Sequence, residues 1–170
     1  MKRWIAMTAA LFLSACAAYD GRGLMPGADR IEDVLRIMGQ PAQRWQDADG
    51  AVQLSYPRGP MGYHSYMVHV APDGKMLGIE NVLDEKSFAR VQPGMSMEQV
   101  VRLLGPSQPE WSVYFPARDE LVWEWRYCDA WSQAARFNVL FDKGKGTVRS
   151  TLAMTEEQRG LCKFSCTCGR

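Results

Sequence analysis

Leu121-Val122-Trp123-Glu124-Trp125-Arg126-Tyr127-Cys128 repeats with a period of two: Leu121, Trp123, Trp125 and Tyr127 fall on one side of an extended chain, and Val122, Glu124, Arg126 and Cys128 on the other. That alternation predicts a strand. Downstream, Phe137, Val139 and Phe141 alternate with Asn138, Leu140 and Asp142, and Gly144-Lys145-Gly146 closes a hairpin into a further strand over residues 147–154. The first half of the chain carries weaker copies of the same signal. Residues 52–56 and 66–70 read as strands, and Pro72-Asp73-Gly74 turns the chain into a third over residues 76–82.

Each set of strands follows a short helical pattern. Glu32-Asp33-Val34-Leu35-Arg36-Ile37-Met38-Gly39, with Trp45 six residues on, recurs as Glu98-Gln99-Val100-Val101-Arg102-Leu103-Leu104-Gly105, with Trp111 six residues on. The match predicts an internal repeat. Ile31, Val34, Leu35 and Met38 share one helical face, as do Met97, Val100, Val101 and Leu104. Ser96 with Gln99, and Asp29 with Glu32, have capping-box spacing. Gly39 and Gly105 suit left-handed C-terminal caps, and Pro41 and Pro106 stop the helices from continuing. The expected class is therefore α+β: two tandem units, each a short helical segment followed by about three antiparallel strands, with the helices packed on one sheet face. The units occupy residues 29–84 and 91–154, and a Cys-rich tail occupies residues 155–170.

The N-terminus carries its own signal. Lys2 and Arg3 precede an apolar run of about ten residues, too short to cross a bilayer as a helix and the length of a signal-peptide core. It ends in Leu13-Ser14-Ala15-Cys16, which resembles a bacterial lipobox. The resemblance implies that residues 1–15 are removed, that Cys16 is the lipidation site, and that its new amine is acylated. Several acyl chains, at about 0.8 kcal/mol per buried methylene, hold a protein stably where one would be marginal. Ala17, where an aspartate would favour inner-membrane retention, points to the outer membrane with the protein facing the periplasm. Residues 16–28 are small and Gly-rich and read as the acylated N-terminus and a flexible tether. The 20 Lys and Arg nearly balance the 19 Asp and Glu, so there is no basic field to hold a nucleic acid.

Gly94-Met95-Ser96-x-Glu98-x-Val100, Leu103-Leu104-Gly105-Pro106, the aromatic strand and Val139-Leu140-Phe141-Asp142 together resemble the SmpA/OmlA, or BamE-like, lipoprotein domain, best over residues 91–154 and more weakly over residues 30–83. The resemblance implies a small outer-membrane lipoprotein of helix-helix-strand-strand-strand form, with the β-barrel assembly machinery as partner. Tandem copies also look like secreted β-lactamase inhibitor proteins, which implies a tethered inhibitor or binding module instead.

Export places the cysteines in an oxidising compartment, where disulfides persist. Cys128, Cys162, Cys166 and Cys168 are the disulfide candidates, and four cysteines allow three pairings. Cys128 is expected to bond to one of Cys162, Cys166 or Cys168, with Cys162 or Cys166 favoured, and a bond between Cys166 and Cys168, only two residues apart, is disfavoured by strain. The tail's x3 and x1 cysteine spacing lacks the paired knuckles of structural zinc sites, so no metal and no cofactor is expected, although a thiol-redox or metal-binding lipoprotein stands as a further reading. The two histidines, His64 and His69, lie in a loop and on the polar side of a strand pattern. No nucleophile elbow, zincin motif or phosphate loop occurs, and Asp119-Glu120 and Glu156-Glu157 are adjacent pairs whose side chains point apart. The expectation is a protein that is not an enzyme and that supports the envelope or β-barrel assembly through protein contacts. Trp123 and Trp125 belong to the core. Tyr114, Phe115 and Trp131 lie in loop-like sequence, where a large ring has least structural purpose, and are the partner-binding candidates.

Overall fold

A computed structural model describes residues 19–162 and 166–168; residues 1–15, expected to be a signal peptide, and Cys16 lie outside the described residues. Two antiparallel sheets carry the chain. The first runs in the order β1 (Gln43–Gln46), β2 (Val52–Pro57), β3 (Ser65–Val70), β4 (Met76–Asn81), and the second in the order β5 (Val113–Phe115), β6 (Glu120–Cys128), β7 (Ala134–Asp142), β8 (Thr147–Thr155). Among the described residues helix is confined to α1 (Ile31–Met38), α2 (Glu85–Phe88) and α3 (Met97–Leu104), apart from two short 3₁₀ turns.

This corrects the α+β expectation: the chain is mostly β, and the helices do not form a layer over either sheet. The reason is their length. An eight-residue helix has little more than two turns, so of the four apolar positions expected on each face only two are buried, Val34 and Met38 in α1 and Val100 and Leu104 in α3. The strands supply most of the rest of both cores. Leu54, Tyr56, Val68 and Met76 fill the first, and Trp125, Phe137, Val139 and Phe141 are central to the second. Each sheet also has four strands rather than three. The unforeseen ones are edge strands: β1 is Gln-Arg-Trp-Gln, without apolar alternation, and β5 is three residues between Pro109 and Pro116.

Within the segment expected to be a flexible tether, three of the described residues are packed. Tyr19 and Leu24 lie against the first core, Gly21 is buried, and the Gly27 amide donates to the Met76 carbonyl at 2.8 Å. A side chain at Gly21 would meet Ile79 at 2.7 Å, so the segment follows the sheet closely.

The helix ends are built alike. Ser96 and Gln99 form a reciprocal capping box, with the Ser96 amide donating to Gln99 Oε1 at 2.8 Å and the Gln99 amide to Ser96 Oγ at 3.2 Å. α1 starts one residue later than expected, with Arg30 as its N-cap. The Arg30 amide donates to Asp33 Oδ2 at 3.1 Å, while Asp29 accepts the Met25 amide. Gly39 and Gly105 end α1 and α3 at φ 81° and 78°. Each glycine carbonyl accepts a bond from an aromatic side chain of the following sheet, Tyr56 Oη at 3.0 Å and Trp125 Nε1 at 3.2 Å. Gly105 is required twice over, because a Cβ there would lie 2.7 Å from Ser65 Oγ of the first sheet. α3 is thus where the two sheets meet: Gln53 Nε2 donates to the Arg102 carbonyl at 2.7 Å, and Arg102 pairs with Asp47 at 2.7 Å.

Candidate interaction face

Register decides what each face of the second sheet shows. Trp125 pairs with Phe137, and Trp123 with Val139, which sends these rings into the core beneath α3. Trp125 is buried and Trp123 is packed against its margin. The intervening pairs, Val122 with Leu140, Glu124 with Asn138 and Arg126 with Arg136, occupy the opposite face. Sequence reasoning assigned that face no role. The structure buries its centre: Glu124, Arg136, Asn138 and Glu156 are each less than a tenth exposed.

Charges that leave water need partners, and these have them. Arg136 donates through Nε to Glu156 Oε1 at 2.6 Å and through Nη1 to Glu124 Oε1 at 2.9 Å. Arg126 grips both oxygens of Glu156, at 2.6 and 2.8 Å. Arg159, from the segment after β8, closes on Glu124. The hydrogen bonds from Arg126, with those from Arg136, hold the Glu156 carboxyl below the usual glutamate range, against the opposing effect of burial. The Arg136 guanidinium also lies 4.0 Å from the centre of the Trp111 ring, a cation–π stack.

Around this polar floor stands an apolar rim. Trp111, Val113, Phe115, Val122 and Leu161 line a groove of about 380 Å³ together with Glu124, Arg136, Asn138 and Arg159. Val113, Phe115 and Leu161 are more than a third exposed, and so is Leu152 on β8, which pairs with Asn138. A concave, largely apolar surface with a few convergent polar groups is the usual form of a binding site, and this volume lies at the small end of that range.

The three aromatic candidates are all exposed, but they do not form one site. Phe115 pairs with Glu120 at the start of β6, stacks under Arg118 at 4.6 Å and lines the groove. Tyr114, its neighbour on the strand, takes the opposite side and donates through its hydroxyl to Asp119 at 2.9 Å, which pushes the phenol's pKa up. Trp131 is 84% exposed in the β6–β7 turn, beyond the far end of β6. Eight residues of strand separate the two ends of β6, roughly 26 Å. Sequence reasoning missed Glu124, Arg126, Arg136, Glu156 and Arg159. The available signal was the charged residues facing away from the tryptophan ladder on two neighbouring strands, Glu124 and Arg126 against Arg136.

The tail is pinned to the β6–β7 end of the sheet. Cys128 is bonded to Cys168, Cα atoms 5.9 Å apart, and Cys162 to Cys166, Cα atoms 6.1 Å apart. Cys128 thus pairs with a tail cysteine, but with Cys168 rather than the favoured Cys162 or Cys166. The cause is a short strand-like pairing of Thr167 with Gln133, in which the Ala134 amide donates to the Cys166 carbonyl and the Cys168 amide to the Ser132 carbonyl. This sets Cys168 beside Cys128. His64 stacks on Tyr66, and His69 pairs with Glu80 at 3.1 Å on an exposed surface of the first sheet. Among the described residues no three His, Cys, Asp or Glu side chains converge as metal ligands, and no helix is long and apolar enough to cross a membrane.

No family model and no curated protein matches the chain. A solved structure of an extracellular protein containing an SCP domain, from Bacillus anthracis str. Ames, is similar at 13% identity with a TM-score of 0.29, over 79% of this chain and 45% of that one. The chain therefore spans less than half the length of that protein. The expected SmpA/OmlA (BamE-like) membership is overturned: two four-stranded sheets with little helix are not that small α+β domain.

Proposed function

We propose that this chain is a non-catalytic lipoprotein of the bacterial envelope, anchored through acyl chains on Cys16 and acting by binding another protein at the open face of its second sheet. The observation that carries the reading is the groove itself, with the exposed apolar rim of Val113, Phe115 and Leu161 over the buried Glu124–Arg136–Glu156 floor. Aromatic anchors beside desolvated arginine are the usual centre of interface energy. The β-barrel assembly machinery is no longer the favoured partner, because the resemblance that implied it does not hold. A periplasmic or outer-membrane protein presenting an apolar side chain is the partner class that this surface fits. Outer-membrane residence rests on Ala17 after the lipobox cysteine.

The test has two arms. Cys16→Ser is expected to move the protein from the membrane fraction to the soluble periplasm or leave it unprocessed, and the wild-type intact mass is expected to carry the added acyl groups. Phe115→Ala with Leu161→Ala is expected to weaken capture of the partner found by crosslinking at least tenfold, with the melting temperature within about 2 °C of wild type, as expected of surface substitutions. Membrane retention of Cys16→Ser through carbonate washing, or undiminished capture by the double variant, would contradict the proposal.

A further inference from the structure

The packed N-terminal segment fixes where the chain leaves the fold, and therefore which side of the molecule an anchor at Cys16 would hold against a membrane. Tyr19 packs edge-on to Tyr56 with ring centres 6.3 Å apart, and Gly21 is buried beneath Ile79, so the exit point is part of the core. Cys16 stands three residues earlier, and a chain that short spans at most roughly 11 Å. A domain of this size has a radius of gyration of about 15 Å. Such a tether cannot turn the opposite side of the molecule toward the lipid. Acyl chains on Cys16 would place that residue near the base of a headgroup layer roughly 5–7 Å deep, which leaves Tyr19 at the layer's outer surface.

The surface around that exit has the chemistry of a headgroup contact. The Arg58 guanidinium lies 5.4 Å from the centre of the Tyr19 ring, and Tyr19, Pro57, Arg58 and Gly59 line an open hollow of about 420 Å³. The Arg22 side chain is 88% exposed, and its Nε pairs with Asp20 at 3.1 Å. Met61, 64% exposed, stands in the same β2–β3 loop as Arg58, and that loop is held in place by Arg126, which donates to the Met61 carbonyl at 2.9 Å. Tyrosine rings, arginine side chains and an exposed methionine suit a layer that is wet and phosphate-bearing on one side and apolar on the other.

We infer that the side of the molecule formed by residues 19–22 and the β2–β3 loop rests on the phospholipid headgroup layer, with Arg22 and Arg58 on lipid phosphates and Met61 reaching toward the acyl region. This deepens the lipoprotein reading and rests on acylation of Cys16. The occupant is the bilayer rather than a protein, because the tether's length brings this surface to the lipid whatever else the molecule binds.

The measurement is photolabelling of the full mature, acylated protein in nanodiscs whose phospholipids carry a diazirine at headgroup level, read by peptide mapping. Label is expected on peptides covering residues 19–25 and 57–66 and absent from residues 143–154. A second variant, with about twelve Gly and Ser residues inserted after Ala18, removes the restraint of the short tether. In that background the patch is expected to keep its label, and Arg22→Gln with Arg58→Gln to lose it by roughly fivefold for each arginine removed. Even labelling of all surfaces, label centred on the second sheet, or a patch shielded by a co-purifying protein would overturn the inference while leaving the lipoprotein reading intact. Loss of label on adding inorganic phosphate would overturn it in favour of a free anion site. An intact mass without acyl groups would remove both.

Discussion

Glu156 shows how much a single carboxylate can organise. Read in sequence it is half of an adjacent acidic pair at the start of a tail; in the fold it accepts from two arginines on two strands and is 5% exposed. Removing one partner of a buried ion pair strands the others, so Glu156→Gln is expected to cost roughly 3–5 kcal/mol of stability at pH 7. The pH dependence has a definite sign. The folded pKa lies below the unfolded value of about 4.3, so the stabilisation is complete above that pH and is lost as pH falls through the folded pKa. Urea unfolding of wild type and Glu156→Gln at pH 7 and pH 3 checks this: the gap between them should narrow at the lower pH, and a gap that is constant across the range would contradict it. None of this was legible beforehand, because a polar residue opposite an apolar ladder reads as solvated until a second element, here the segment carrying Arg159, is known to cover it. Residues whose roles are local were legible. The Ser96–Gln99 box, the caps at Gly39 and Gly105 and the burial of Trp125 depend on neighbours a few positions away or on one strand's own alternation.

At the scale of elements, the long strands β6, β7 and β8 announce themselves by period and turn chemistry, and each is nine residues in the structure. The short edge strands do not. β5 owes its conformation to pairing with β6, in which Val113 faces Val122, and three residues carry too little pattern to reveal that. The helices misled in the other direction. Their periodicity was real, but eight residues bury only two side chains each, which makes them props for a sheet rather than a layer. The tail is held by two disulfides, a short strand-like pairing with Gln133 and the Arg159–Glu124 ion pair. None of its described residues belongs to the second core, while Arg159 and Leu161 form part of the groove. Replacing Cys128 and Cys168 together by serine should therefore free residues 157–170 without unfolding the sheets. Limited proteolysis is expected to cut after Arg159 only in the variant, with a stability loss of about 2–4 kcal/mol. Loss of the near-ultraviolet signal of the buried tryptophan would instead mean that the tail is integral to the core.

On the proposed reading the whole molecule has two working surfaces: the exit of the chain at Tyr19 and the groove on the second sheet. The first half supplies the exit, and the second supplies the groove, its apolar rim and the disulfide-bound tail. The proposed membrane anchor rests on Leu13-Ser14-Ala15-Cys16 alone, a contiguous motif that can be read without the fold. The groove was not, because it joins Trp111, β5, β6, β7 and the segment after β8, which only the three-dimensional pairing brings together. Of the aromatic candidates, Phe115 reaches the groove, while Tyr114 turns to the other side of β5 and Trp131 stands at the opposite end of β6. The central claim is that the open face of the second sheet is where a protein partner is bound. It is tested most directly by in-cell photocrosslinking from single unnatural residues placed at positions 115, 131 and 145 of the acylated protein. The account predicts one discrete adduct from position 115, lost when Leu161→Ala is added, and none of that mass from positions 131 or 145. The same adduct from position 131 or 145, or no adduct from position 115, would contradict it.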